Sequence, residues 1–373
     1  MKTPRFTPLV AGLPATVPFV GPEAHIRANG RPFQARIGAN ESGFGPSPEA
    51  IDAMCSAAPD AWMYGDSECH DLREALAAHH GVRPENIVIG EGIDGLLGLL
   101  VRMIVAPGDP VVTSDGAYPT FNYHVAGFGG VLHKVPYRDD HEDPSALLAR
   151  SEEVGAKLLY VCNPDNPMGS WHSGRIIERM LKTLPDGTLM VLDEAYIDAA
   201  PPGTAPQIDA DDPRVIRMRT FSKLYGLAGM RVGYAIGAPA VIAMFDRIRN
   251  HFGMGRVSQA AALAALQDQD WLRRVQSNVA TARQRLGQIA ADCGMYALPS
   301  ATSFVALDTG HDGAFAHRLV NALMARDVFV RMPFVAPQNR CIRVSTAPDP
   351  ILDVFAAALP DALAELDQTR HAP

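Results

Sequence analysis

Three polar side chains stand where three short apolar runs of the sequence end, and their types suit chemistry on a reactive amine. They are Asn166, Asp193 and Lys223. A lysine in an apolar setting can act as a nucleophilic amine. An acid that emerges from an apolar run needs a partner, and a protonated ring nitrogen would be one. Taken singly, each has a plainer interpretation, because a lone lysine is usually a solvated charge and an Asn-Pro loop is often only a turn.

A second group of residues could hold an anion. Glycines in residues 90–95 match G-x-G-x-x-G between a predicted strand and a predicted helix, where backbone N–H groups can bind a phosphate. Ser222 and Arg231, joined by a glycine-rich segment, could complete a phosphate cradle. The glycine pattern alone leaves open a single phosphate, a dinucleotide or a bare tight turn.

The elements that must position these residues alternate between strands and helices. Continuous apolar runs predict strands that are buried on both faces. Strands are predicted at 86–89, 111–113, 157–162, 188–192, 215–220 and 232–236, with a helix at 93–105. This order favours a three-layer α/β/α domain with a mostly parallel sheet, in which ligands bind at the carboxyl ends of the strands.

The length of 373 residues suggests two domains, or one large domain with an appendage. Residues 1–47 are rich in proline and glycine and predict an extended N-terminal arm. Residues 48–255 would form the large domain, and residues 256–373 a smaller α+β domain. The smaller domain would contain helices at 270–292, 314–326 and 350–366 and strands at 303–307, 328–331 and 341–345.

Composition argues against several classes of protein. A net charge of -8 disfavours a nucleic-acid binder. No apolar run approaches the ~20 residues that span a bilayer, so we expect no membrane partner. The five cysteines are odd in number, scattered and without metal-ligand spacing. They favour a reduced, cytoplasmic setting and no metal site.

In their order and context, these motifs resemble the fold-type-I pyridoxal-phosphate aminotransferases of class I/II. Within that group the chain is most similar to the histidinol-phosphate aminotransferase family. The most specific segment is residues 222–234, SKLYGLAGMRVGY, together with Asn166, Asp193 and Tyr196. The resemblance covers most of the chain, from residue 40 to residue 343.

The resemblance implies a role for each residue around the cofactor ring. Lys223 would carry pyridoxal 5'-phosphate as a Schiff base and shuttle the substrate proton. Asp193 would pair with the pyridine N–H, which makes the ring an electron sink. Tyr196 and Asn166 would hydrogen-bond the phenolic oxygen, and Tyr118 would stack on the ring.

The resemblance also implies which residues hold the charged groups. The cofactor phosphate would be held by Gly92, Ile93, Asp94, Ser222 and Arg231. Arg343 would bind the anionic end of the substrate, since its planar fork suits a carboxylate or a phosphate.

The remaining implied positions concern the substrate and the neighbouring subunit. Asn40 and Phe19 lie on the substrate side. Phe19 stands where related enzymes usually have a tyrosine that helps hold a substrate phosphate. Tyr64 would reach the cofactor phosphate of a neighbouring subunit, so we expect a homodimer, with the arm 1–47 contributing to its interface and to the small domain. Further departures are Met168 for the usual threonine, and Ile93 and Gly95 for a serine and a glutamate.

The expected function is therefore an aminotransferase. It would move an amino group between histidinol phosphate or an aromatic amino acid and a 2-oxo acid such as 2-oxoglutarate. Three alternatives stay open: a decarboxylase of the threonine-phosphate type, a nicotinamide-dependent dehydrogenase built on the glycine turn, and a non-catalytic binding protein that kept the fold.

Overall fold

The computed structural model describes residues 4–14 and 20–370. The α-helices in these ranges are α1 (Pro8–Gly12), α2 (Pro22–Asn29), α3 (Pro48–Ala57), α4 (His70–His80), α5 (Gly92–Ile104), α6 (Pro119–Gly127), α7 (Pro144–Val154), α8 (Gly174–Lys182), α9 (Pro239–Phe245), α10 (Arg256–Gln267), α11 (Gln269–Asp292), α12 (Gly313–Ala325) and α13 (Asp349–Arg370). The strands are β1 (Ala35–Arg36), β2 (Ile87–Glu91), β3 (Pro110–Ser114), β4 (Val131–Val135), β5 (Leu158–Cys162), β6 (Leu189–Asp193), β7 (Val215–Thr220), β8 (Val232–Gly237), β9 (Tyr296–Ala297), β10 (Phe304–Asp308), β11 (Val328–Phe329) and β12 (Cys341–Ser345).

A seven-stranded sheet in the order β2-β8-β7-β6-β5-β3-β4 organises the first part of the chain. Its strands β3 to β7 are parallel, and β8 runs antiparallel to both of its neighbours. Every residue of β5 and β6 is buried, as their continuous apolar sequence predicts. The predicted mostly parallel sheet is confirmed.

Helices cover both faces of this sheet. One face packs on α5, α6 and α9 through a cluster that includes Leu97, Phe121 and Phe245. The other packs on α7 and α8 through Leu147 and Ile177. Because side chains alternate along a strand, the central strands β3, β5, β6 and β7 contribute residues to both clusters. The three-layer α/β/α architecture is therefore confirmed.

A second core lies in the C-terminal part of the chain. It joins the end of α11 with α12, α13 and the antiparallel sheet β12-β10-β9. The N-terminal arm returns to this core, because β1 pairs with β11 and both Ala35 and Ile37 are buried there.

The prediction of an extended arm is wrong for the residues of α1 and α2. Both helices begin with a proline, Pro8 and Pro22. A proline at the first helical position loses no hydrogen bond and has a backbone angle already suited to the helix. Prolines that suggest an extended arm therefore also start helices.

The division at residue 255 stays a prediction, and the packing favours a later boundary. Helix α10 and the first half of α11 share a cluster with α3 and α4, through residues such as Ala261 and Val275. The second half of α11 joins the C-terminal core from Ala282 onward. We propose that the two domains meet within α11.

In the described ranges, no helix combines the length and the apolar character that a membrane span requires.

Candidate active site

A cavity of about 310 Å³ opens at the carboxyl ends of β5, β6 and β7. Parallel strands end at the same edge of a sheet, so the last residues of these strands, Cys162, Asp193 and Thr220, meet in its wall. Nine of the residues predicted from the sequence line it: Ile93, Asp94, Tyr118, Asn166, Asp193, Tyr196, Ser222, Lys223 and Arg231.

Lys223 presents a primary amine to this cavity. It lies in the turn after β7, which closes through a hydrogen bond from Gly226 N to the Lys223 carbonyl. Gly226 has a φ of 72°, and a Cβ there would lie 2.3 Å from the Gly45 carbonyl oxygen, so the turn requires glycine. The Lys223 Nζ donates to the Asn40 carbonyl at 3.3 Å and lies 5.3 Å from the centroid of the Tyr196 ring.

Asp193 places a buried carboxylate in the cavity wall. The residue is 2% exposed. Its Oδ1 accepts from Ala195 N at 2.9 Å and its Oδ2 accepts from the Tyr160 hydroxyl at 2.6 Å. Burial raises the pKa of Asp193 to about 6, although these hydrogen bonds act in the opposite direction. No ion pair between described residues includes Asp193, so a cation entering the cavity would find an unpaired acid.

The start of α5 and the Arg231 side chain form an anion-binding corner. Gly92 begins the helix with a φ of 74°, and a Cβ there would lie 2.6 Å from Arg231 Nη2. Arg231 Nη1 donates to Ser222 Oγ at 3.4 Å, and its Nη2 lies 3.6 Å from Asp94 Oδ2. The Arg231 guanidinium, the Ser222 hydroxyl and the first N–H groups of α5 thus lie together, and each of them can bind an anion.

Two tyrosines line the cavity between Asp193 and the anion-binding corner. The Tyr118 hydroxyl donates to Asp94 Oδ1 at 2.8 Å. Burial raises the pKa of Tyr118, so its hydroxyl keeps its proton. The buried Tyr196 hydroxyl accepts from Asn40 Nδ2 at 2.9 Å, which leaves its own proton available for another acceptor.

A second cavity of about 220 Å³ adjoins the first and shares Tyr118, Tyr196, Asn166 and Lys223 with it. It adds two arginines, Arg331 and Arg343, and the predicted Asn40.

The two arginines of the second cavity are held differently. Arg343 Nη1 donates to Asn166 Oδ1, and its buried Nε has no hydrogen-bond partner among the described residues. Burial lowers the pKa of Arg343 to about 10, which still leaves it a cation at neutral pH. Arg331 Nη2 donates to the Val20 carbonyl at 2.9 Å.

Other predicted positions lie apart from the cavities or outside the described ranges. Tyr64 is 76% exposed, packs its ring against Phe252 at 4.8 Å and lines neither cavity of its own chain. Phe19 lies outside the described residues. Met168 is buried in a small cluster with Ala306 and Cys341, so it joins the Asn-Pro loop to the C-terminal domain.

Sequence reasoning missed Arg331 and Tyr160. Arg331 ends a predicted strand, where a single arginine usually reads as a solvated charge. Tyr160 lies within an apolar run and reads as a core residue, and only its spacing from Asp193 on the neighbouring strand reveals the contact.

Within residues 4–14 and 20–370, no group of three His, Cys, Asp or Glu side chains is arranged to hold a metal ion.

Comparison with known proteins agrees with this geometry. The family model "Aminotransferase class I and II" matches residues 34–359. A histidinol-phosphate aminotransferase of Anaeromyxobacter sp. is 36% identical over 88% of this chain and 90% of its own length. An aromatic amino acid aminotransferase of Nocardia farcinica is 34% identical over 88% of this chain and 90% of its own.

A solved structure extends the agreement to the whole fold. The histidinol-phosphate aminotransferase of Sinorhizobium meliloti, crystallised in complex with pyridoxal-5'-phosphate, is 56% identical with a TM-score of 0.95. The alignment covers 98% of this chain and 99% of that one. The resemblance noted from the motifs is confirmed, and the chain belongs to the class I and II aminotransferase family.

Proposed function

We propose that this aminotransferase binds pyridoxal 5'-phosphate on Lys223 and moves an amino group from histidinol phosphate or an aromatic amino acid to a 2-oxo acid such as 2-oxoglutarate. The observation that carries the proposal is the placement of an amine, an unpaired buried acid and an anion-binding corner around one cavity of about 310 Å³. A relative at 56% identity is named for histidinol phosphate, and a relative at 34% identity is named for aromatic amino acids.

The residues present fit this cofactor at each of its polar groups. The Lys223 amine suits its aldehyde, and Asp193 suits its protonated ring nitrogen. The corner formed by Arg231, Ser222 and the start of α5 suits its phosphate. Gly92 supports the fit, because a side chain there would push Arg231 aside.

Each side chain then has a chemical task. When bound, the cofactor supplies an aldehyde that accepts the substrate nitrogen and a cationic ring that stabilises negative charge on the substrate carbon. Lys223 Nζ moves the proton to and from that carbon. Asp193 would hold the ring N–H. The Tyr196 hydroxyl accepts a hydrogen bond from Asn40 Nδ2, so its own proton would be free to donate to the phenolic oxygen of the cofactor.

The two arginines of the second cavity support an anionic substrate. Arg343 and Arg331 are both half-buried and line the space beside Lys223. A planar guanidinium binds a carboxylate or a phosphate through two parallel hydrogen bonds. Histidinol phosphate and the aromatic amino acids each combine a ring with such an anion.

We further propose a cytoplasmic homodimer in which Tyr64 reaches the partner's cofactor phosphate. The exposed fractions of Trp62, Tyr64 and Phe252 are 82%, 76% and 54%. An exposed aromatic group of this kind marks an interaction surface. The cytoplasmic location rests on the scattered, odd-numbered cysteines of the sequence.

A half-reaction screen tests the proposal. Histidinol phosphate and individual amino acids are added one at a time to the holoenzyme, and the absorbance of the bound cofactor is followed. We expect histidinol phosphate or an aromatic amino acid to convert the cofactor to its amine form, and 2-oxoglutarate to reverse the change. Release of carbon dioxide instead would identify the decarboxylase, and a protein that binds cofactor but responds to no amine would be the binding protein.

A further inference from the structure

Tyr160 does not line the cavity, but its hydroxyl contacts Asp193, which does. Tyr160 lies in the middle of β5, is fully buried, and its ring stacks on Phe121 with centroids 4.4 Å apart and planes 16° apart. Its hydroxyl donates to Asp193 Oδ2 at 2.6 Å, the short distance typical of a hydrogen bond to a carboxylate.

The sheet register explains why this hydroxyl reaches Asp193. Cys162 pairs with Asp193 across the parallel strands, and Tyr160 pairs with Val191. Tyr160 and Asp193 are therefore on the same face of the sheet, two residues apart on neighbouring strands. A tyrosine spans that diagonal, and the stacked Phe121 holds its ring in place.

The two hydrogen bonds fix the plane of the Asp193 carboxylate. Ala195 N donates to one oxygen and the Tyr160 hydroxyl donates to the other. An ionised carboxylate has about four lone-pair directions, so two stay free for a partner in the cavity. Because both bonds go to the charged form, they favour an ionised Asp193.

We propose that Tyr160 is a positioning residue of the reaction: its hydroxyl keeps the Asp193 carboxylate ionised and aimed at the ring nitrogen of the cofactor. The inference rests on the proposed function and adds to it a residue that never touches the cofactor. The hydroxyl acts through Asp193 alone, so its effect depends on the ring nitrogen being present.

The surroundings of Asp193 make this hydrogen bond matter near neutral pH. Burial raises the pKa of Asp193 to about 6, and the Tyr160 hydroxyl is the strongest group that lowers it. The Lys223 amine also lowers it, and Asp94 raises it. The other titratable groups that face Asp193 are Cys162, Glu142 and Asp165. Loss of the Tyr160 hydroxyl should therefore raise the Asp193 pKa further and weaken the preference for the ionised acid.

The test compares Tyr160→Phe with Tyr234→Phe. Tyr234 is a matched control, since it is buried in β8 of the same sheet and its hydroxyl bonds His80 Nε2 at 2.9 Å, on the other face from Asp193. For each protein, the dissociation constant of pyridoxal 5'-phosphate from the apoenzyme is measured against pH. The measurement is repeated with a 1-deaza analogue, which has carbon in place of the ring nitrogen.

We expect Tyr160→Phe to weaken pyridoxal 5'-phosphate binding roughly ten- to a hundredfold at neutral pH, the effect of one hydrogen bond to a charged group. The acidic decline of binding should move to higher pH. Binding of the 1-deaza analogue should stay as in the unmodified protein, and Tyr234→Phe should bind both compounds as the unmodified protein does.

Three results would overturn the inference. Equal losses for the cofactor and its 1-deaza analogue would show a merely structural role for Tyr160. Unchanged binding of both would show that the hydroxyl does not act on Asp193. Failure of the unmodified protein to bind pyridoxal 5'-phosphate would overturn the proposed function as well. The first two results, in contrast, concern Tyr160 alone, because the unmodified protein still binds the cofactor.

Discussion

Arg343 brings a half-buried cation to the second cavity, where we propose that the substrate anion binds. Its guanidinium is held by Asn166, and burial lowers its pKa to about 10. The charge is therefore present at neutral pH and is lost as the pH rises through about 10. Since the substrate anion needs this charge, its affinity should fall in the same range.

We predict a rise in KM for the 2-oxo acid above pH 10, with a smaller change in kcat. Arg343→Lys should raise KM at neutral pH as well, because an ammonium cannot make the two parallel bonds of a guanidinium. Steady-state kinetics from pH 7 to pH 11 measure both effects. Arg214→Lys is the control, since Arg214 is half-exposed and pairs with Asp212 away from the cavities. A KM that is flat in pH and unchanged in Arg343→Lys would exclude Arg343 from substrate binding.

Most cavity residues could be predicted from the sequence, because the strands that position them are recognisable as apolar runs. Asn166, Asp193 and Lys223 follow apolar runs, and the ends of parallel strands meet at one edge. Tyr160 could not be found in this way, because it bonds Asp193 through a diagonal that depends on the register of two strands. The register becomes visible only in the folded sheet.

At the scale of elements, two adjacent acids at the end of β6, Asp193 and Glu194, lie on opposite faces of the sheet. Asp193 faces the cavity side, while Glu194 is buried between Arg217 and Arg219 of β7. Alternation along the strands requires this split, since Ile216 and Met218 of β7 join the cluster of the first face. The Glu194 ion pairs tie the strand that carries Asp193 to the strand that leads to Lys223.

We predict that Glu194→Ala lowers the free energy of unfolding by about 3–5 kcal/mol, because it leaves two largely buried guanidinium groups without their ion-pair partner. Urea denaturation of the full chain measures this. Glu153→Ala is the control, since Glu153 is 66% exposed and its pair with Arg150 should contribute less than about 1 kcal/mol. Similar losses in both variants would contradict a special role for the buried pairs.

The Glu194 ion pairs should also make the free energy of unfolding depend on pH. Burial alone would raise the pKa of Glu194, but Arg219 and Arg217 outweigh it and hold the pKa below its usual value. The stabilisation is therefore present above the pKa of the unfolded chain and is lost as the pH falls through the lower folded value. Glu194→Ala should lack this acidic loss.

Elements on the rim of the molecule were harder to predict than those in the centre. The strand β4 was missed, because His133 and Lys134 interrupt its apolar sequence at an edge of the sheet where one side meets solvent. The helices α1 and α2 were missed because their prolines suggested an extended arm. Continuous apolar runs in the centre of the sheet predict buried strands with few alternatives.

At the scale of the whole molecule, two cores meet along α11, and the two arginines of the second cavity lie in the C-terminal part of the chain. Strand β12 carries Arg343, while Lys223 and Asp193 come from the seven-stranded sheet. Under the proposed function, the cofactor and the substrate anion would be held by different parts of the chain. Tyr64, exposed beside Phe252, suggests that a second chain completes the site.

Mixed dimers test this shared site. Tyr64→Ala and Lys223→Ala chains are each purified, and then unfolded and refolded together. In a mixed dimer, the Tyr64→Ala chain keeps its own Lys223 and receives an intact Tyr64 from its partner, so one site is restored. We expect activity in the mixture well above the mean of the two parents. Activity equal to that mean would show that Tyr64 serves only its own chain or none.

The most direct test of the account is the covalent bond at Lys223. The purified holoenzyme is treated with borohydride, digested and analysed by mass spectrometry, with the Lys223→Ala protein treated alongside. We expect a pyridoxyl-phosphate mass on the peptide that contains Lys223, and a folded but inactive Lys223→Ala protein. A modified lysine elsewhere, an unmodified Lys223 peptide, or normal activity in Lys223→Ala would contradict this expectation.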